Sequence, residues 1–170
     1  DPANDLSFDS IQVISPADSV TFSEVMYDPV GSESTDEFIE LYNYGTRAVN
    51  LNQWFIGDSL GSDKITDAGF GTLLNPNRFA VVFDSNYNVA SGSYKSIIPA
   101  GALVVKINGA TFLSSGLVGN YNKQIYLVRS DNDTTSTYRY SVDNTEGHTD
   151  EKIVLDQPNI ASNWTNGLLL

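Results

Sequence analysis

The apolar residues of this chain come in short runs of alternating or continuous pattern, and no stretch repeats them at helical spacing. In Phe79-Ala80-Val81-Val82-Phe83 the larger side chains Phe79, Val81 and Phe83 share one face. Leu103, Val105 and Ile107 repeat that pattern with Lys106 between them, and Ile39 and Leu41 alternate with Phe38, Glu40 and Tyr42. Strands are predicted at Phe22 to Tyr27, Glu37 to Tyr42, Gln53 to Gly57, Arg78 to Phe83, Leu103 to Ile107, Gln124 to Arg129, Thr137 to Val142 and Lys152 to Leu155. Ser7 to Ile14 adds one more at the start through Ile11 and Val13, or serves as a linker. Frequent turn residues between such runs describe an all-β sandwich or barrel of about 8–9 strands.

The turns have mechanisms. Asp28-Pro29 and Asn75-Pro76 pre-set turn geometry, and Asn108-Gly109 is a hairpin signal between Ile107 and Thr111. Gly57 to Gly71 and Asn86 to Ser96 are rich in Gly, Ser, Asn or Asp and read as long surface loops. Ser34-Thr35-Asp36-Glu37 fits a helix-capping box, but the aromatic, β-branched alternation that follows favours a strand. With 170 residues, 41% of them apolar, and no fixed-period repeat, a single domain over residues 20–170 is expected behind an extension of residues 1–19. The ends, Asp1-Pro2 and Leu168-Leu169-Leu170, suggest a piece of a longer or processed protein.

Composition excludes several chemistries. The chain has no cysteine, which removes disulfides, thiolate metal sites and cysteine nucleophiles. Its 21 acidic and 9 basic residues leave a net charge of −12, and the basic residues are scattered. Counterion release therefore offers no route to nucleic acid, and anionic membranes are disfavoured as well. No apolar run approaches the ~18 residues of a spanning helix, so no membrane insertion is expected.

Several segments together resemble the lamin-tail domain family, bacterial type. Phe22-Ser23-Glu24-Val25-Met26-Tyr27-Asp28-Pro29, then Glu37 to Asn43, is similar to the opening of such domains. Leu51-Asn52-Gln53-Trp54-Phe55-Ile56 resembles the next strand, with Gln53 where Gly is common, and Leu73 to Val82 resembles a later apolar strand, with Asn77 at a place often held by Gly. Gly116 to Val128, Gly147 to Ile153 and Asn163-Trp164 are like later parts of the family. The resemblance spans roughly residues 20–165 and implies an immunoglobulin-like β-sandwich of two antiparallel sheets. It implies a module role with no shared catalytic residues, so the chain is not expected to be an enzyme. Family members include nuclear lamin tails and domains of secreted or surface bacterial proteins, and the acidity here departs from any DNA-associated use.

Candidate chemistry is sparse. Asp28, Glu33, Asp36 and Glu37 bracket one loop, and hard oxygen ligands on a loop suit calcium; a solvated acidic loop is the plainer reading. No other cofactor is expected. Asp131-Asn132-Asp133 opens like a calcium loop but puts Ser136 and Val142 where the EF-hand needs Gly and Glu, so it reads as a turn. Glu24 and Glu40 on neighbouring strands have the residue types for acid–base work, though solvent exposure or backbone hydrogen bonding is the simpler role. His148 is the one histidine and reads as a loop residue. Trp54 falls on an apolar strand and reads as core, whereas Tyr87, Tyr94 and Tyr121 lie in loop-rich stretches as exposed partner contacts. Asn132 and Asn163 head N-glycosylation sequons, relevant only on a eukaryotic secretory route. The expectation is a non-catalytic interaction or tethering module of a secreted or cell-surface bacterial protein, contacting a protein partner or other domains of its parent chain. The alternative is a calcium- or glycan-binding accessory domain attached to a catalytic domain.

Overall fold

A computed structural model describes residues 19–117, 123–141 and 144–169. The strand expected at residues 7–14 and the contact residue Tyr121 lie outside the described residues. Twelve strands follow in order: β1 (Val20–Met26), β2 (Phe38–Asn43), β3 (Val49–Asn50), β4 (Phe55–Gly57), β5 (Ser62–Asp67), β6 (Leu73–Leu74), β7 (Phe79–Phe83), β8 (Leu103–Ile107), β9 (Gln124–Val128), β10 (Thr134–Arg139), β11 (His148–Lys152) and β12 (Trp164–Leu169). A 3₁₀ turn, Ala161–Asn163, precedes β12.

Ten strands form one curled order, β10-β9-β4-β5-β8-β7-β2-β1-β11-β12, and β3 pairs with β6 apart from it. Because β5 pairs with β4 on one side and β8 on the other, it joins the two layers of a sandwich. The pairings are antiparallel except β7 with β8, which run parallel and need the long crossover between them. The inward residues of both layers meet in one core, including Phe22, Val25, Ile39, Leu41, Trp54, Ile56, Val82, Val105 and Leu127. Alternation along β2 sends Ile39 and Leu41 to that core and Phe38 to the opposite face.

On that opposite face the β7–β8 crossover builds a second, smaller core. Met26, Phe38, Val81, Phe83 and Val104 of the sheet pack under Tyr87 and Tyr94 of the crossover. Tyr87 stacks on Phe83 at 3.9 Å between ring centroids, and Tyr94 meets Phe38 edge-on at 5.1 Å. Aromatic pairs in these geometries add to plain burial.

The all-β sandwich matches the sequence reading, and Trp54 is core as expected, but the strand count is higher than the 8–9 read from the sequence. The stretch Gly57 to Gly71 contains β5, whose inward positions are Asp63 and Ile65, so its polar composition hides a strand. β3 and β6 are too short to show a period. β10 and β11 begin earlier than expected, because the buried positions near their starts are Ser136, Thr149 and Asp150 rather than apolar residues. Asn108-Gly109 does not make a hairpin: Asn108 Oδ1 accepts from Lys64 N and Gly109 O from Ser85 N, tying the turn to β5 and the end of β7. The capping-box residues Ser34-Thr35 sit in a turn, and β2 follows as a strand.

The second core depends on one glycine. A Cβ on Gly92 would run into the Tyr87 ring, whereas one on Gly61 would meet nothing closer than 3.9 Å. Gly92→Ala is expected to lower stability by about 1–3 kcal/mol in denaturant unfolding, as overpacking does. Gly61→Ala is the matched control and is expected to leave the midpoint in place.

Candidate functional site

The acidic loop between β1 and β2 splits its four carboxylates. Glu33 is exposed and stands beside Asp28; burial, then the nearby Asp28 and Glu146 charges, push its carboxyl above the usual range. Asp36 is buried and accepts from Ser32 N at 3.1 Å and Ser93 Oγ at 2.8 Å, which ties the loop to the crossover. The Asp36 carbonyl also accepts from the Tyr94 hydroxyl at 2.8 Å. Glu37 turns to a different segment, accepting from Leu117 N at 2.8 and 2.9 Å. Among the described residues no three His, Asp or Glu side chains are placed to hold a metal ion. Asp28 and Glu33 are thus brought together, while Asp36 and Glu37 are each committed to a hydrogen bond elsewhere.

Tyr87 and Tyr94 are buried, at 1% and 6% exposure, which corrects their reading as exposed contacts. The polar sequence around them does not show that the crossover folds back on the sheet and covers them. His148 lies in β11 rather than in a loop, with Nδ1 at 2.9 Å from the Gly167 carbonyl of β12. Asp131-Asn132-Asp133 is a turn, as read: Arg129 N donates to Asp133 O and Asn132 has φ 69°. The second sequon asparagine, Asn163, is buried and its Nδ2 donates to Val154 O and Pro158 O.

Glu24 and Glu40 do face each other, and Glu151 extends the row. The register sets Glu24 opposite Glu40 on β2 and opposite Glu151 on β11. Ser23 Oγ donates to Glu40 at 2.8 Å. Burial first, then the Glu24 and Glu151 charges, push the Glu40 carboxyl up to about 7 despite that bond. Burial likewise raises Glu24, opposed by the Thr149 hydroxyl and assisted by Glu151. Like charges directly opposite on a sheet destabilise it. Among the described residues the hydrogen-bond partner of Glu40 is the Ser23 hydroxyl, and no histidine joins the row.

Two buried carboxylates, Asp150 and Asp63, escaped the sequence reading. Asp150, inside the polar run His-Thr-Asp-Glu-Lys, is 2% exposed and accepts from the Tyr138 hydroxyl, Ser141 N, Ser141 Oγ and Asn144 Nδ2 at 2.6–2.8 Å. Asp63 accepts from Leu113 N at 2.5 Å. Trp164 stacks on Tyr138 at 3.6 Å beside an open groove of about 400 Å³ that Arg139, Asp150, Asn159 and Asn166 also line. No residue-type pattern marks either carboxylate: the Asp63 partner is 50 residues away, and Asp150 sits in a polar run that reads as a turn.

The carboxyls of Glu37 and Glu40 are pushed up to about 8 and about 7, from 4.5, chiefly by burial. The folded protein therefore keeps protons that the unfolded chain releases above pH 4.5. Their stabilising contribution is complete below that pH and is lost as pH climbs through 7 and 8. Glu40→Gln is expected to be more stable than the parent at pH 8.5, on the order of 2 kcal/mol, with little difference at pH 4. Thermal unfolding across that range checks the sign.

A sequence profile of the Lamin Tail Domain matches residues 14–142. No curated protein sequence matches the chain. The matched stretch takes in β1 to β10, and with them both layers of the core. On that match over most of its length, and the immunoglobulin-like sandwich that goes with it, the chain belongs to the lamin tail domain family.

Proposed function

We propose that this domain is a non-catalytic tethering module of a larger exported bacterial protein, docking on a protein partner or on other domains of its parent chain. The observation that carries this reading is an apolar patch at the end of the sheet. Ile153, Val154 and Ile160, at 57%, 46% and 58% exposure, lie on the connection between β11 and β12. Asn163 gathers that connection: its carbonyl and side chain bind Ile153 N, Val154 N, Val154 O and Pro158 O. Clustered exposed apolar side chains on a soluble domain favour a protein contact. Among the described residues β12 beside them has only β11 as a neighbour, and such an edge accepts a further strand. The dispersed basic residues and net charge of −12 argue against nucleic acid as the partner. Among the described residues no helix is long and apolar enough to cross a membrane.

A photo-crosslinking side chain at Ile153 tests this in the parent organism, with the same group at Leu60 on the β4–β5 turn as control. Crosslinks to one protein or to a neighbouring domain from position 153, and not from 60, are expected. Equal yields from both positions, or none from 153, contradict the patch as the contact.

One observation favours the calcium-binding accessory reading, the juxtaposed Asp28 and Glu33 with Glu146 near them. Thermal unfolding with calcium and with a chelator separates the two. Tethering predicts no shift, and saturation of a real calcium site predicts a rise of roughly 5–10 °C that magnesium does not reproduce.

A further inference from the structure

Lys152 is the one buried basic side chain among the described residues, at 5% exposure, and what holds its amine is unusual. Nζ donates to Thr21 Oγ1 at 3.2 Å and to the Leu155 carbonyl at 3.0 Å, with no carboxylate in ion-pair contact. The same Thr21 hydroxyl oxygen accepts from Asn159 Nδ2 at 3.3 Å and stands 3.4 Å from Asn159 Oδ1. One hydroxyl therefore bridges an amine and a carboxamide. Asn159 is fixed in place as well, with Nδ2 donating to Ser136 Oγ at 2.8 Å and to the Thr137 carbonyl at 3.0 Å. A buried amine with no carboxylate in direct contact and a pinned amide a few residues further on are the reactants of an acyl transfer.

We propose that Lys152 and Asn159 form an internal amide cross-link. The lone pair of the neutral Lys152 amine forms a bond to Asn159 Cγ, and the bond from Cγ to Nδ2 breaks. The leaving nitrogen takes a proton released by the attacking amine, passed through the Thr21 hydroxyl between them, and departs as ammonia. Nothing is oxidised or reduced, and no co-reactant is required. Burial supplies the neutral amine, since desolvation holds Lys152 down to about 8, opposed only by the Asp156 charge. Holding both groups on the one Thr21 hydroxyl makes the encounter intramolecular, which is the usual source of rate in such reactions. The product closes a covalent ring over residues 152–159 at the start of the β11–β12 connection, which carries Ile153 and Val154.

Intact-mass spectrometry of the purified full chain tests this directly. The cross-link lowers the mass by about 17 Da, one ammonia, relative to the sequence. It also removes tryptic cleavage after Lys152 and yields a branched peptide joining residues 152 and 159. Lys152→Arg and Asn159→Ala are each expected to restore the mass calculated from their sequences. An unmodified wild-type mass overturns the proposal. So does the same loss of mass with normal cleavage after Lys152, or its persistence in Lys152→Arg, since either identifies an asparagine succinimide instead. The branched peptide is read on the wild-type chain, so the test stands even where a variant does not fold.

Discussion

The carboxylate of Asp150 holds the sandwich closed where its curled sheet ends. β11 carries it, paired to β1 and β12, and its four donors come from the end of β10 and the segment just beyond. β10 belongs to the opposite layer, at the far end of the strand order. A buried acceptor therefore helps to join the two ends of a ten-strand order in which, among the described residues, β10 and β12 do not pair through the backbone. Tyr27 strengthens the same corner, its hydroxyl oxygen accepting from Asn144 N at 2.9 Å and its ring stacking on Tyr140 at 5.2 Å. Tyr138, one of the Asp150 donors, carries Trp164 on its ring. Hydrogen bonds to a charged acceptor in a low-dielectric setting are stronger than neutral ones, and losing the acceptor strands every donor at once.

The same device recurs around the molecule. Asp36 holds the β1–β2 loop to the crossover through Ser93, Glu37 holds Leu117, Asp63 holds Leu113, and Asp84 Oδ1 accepts from Asn86 N and Tyr87 N. Long connections expose backbone N–H groups that no neighbouring strand satisfies, and a buried carboxylate is a compact acceptor for them. Part of the acidity of this chain is accordingly structural. This accounts for why side chains with the chemistry of ligands or catalysts turn up in loop anchoring.

The parts of the fold legible in sequence were those with an apolar period. β2, β7, β8 and β9 follow directly from alternating Ile, Leu, Val and Phe, and the family resemblance drew on β1, β2, β7 and β9, on Trp54 and on the segments Gly147 to Ile153 and Asn163-Trp164. β5, β11 and the start of β10 were obscured because polar side chains occupy their inward positions. Local sequence carries no mark of a partner more than a hundred residues away, as Tyr27 is for Asn144. The pairing of Glu24 with Glu40 was readable as proximity between adjacent strands. Its extension to Glu151 was not, since β11 joins β1 from the far end of the chain. Tyr87 and Tyr94 show the converse limit, aromatic residues in a polar stretch that a crossover turns inward.

The claim that buried carboxylates hold this sandwich together is tested most directly by denaturant unfolding of Asp150→Ala at neutral pH. The account predicts a loss of more than about 3 kcal/mol, the usual consequence of leaving several buried donors without an acceptor. A loss below about 1 kcal/mol, within the range of an ordinary surface substitution, would contradict it.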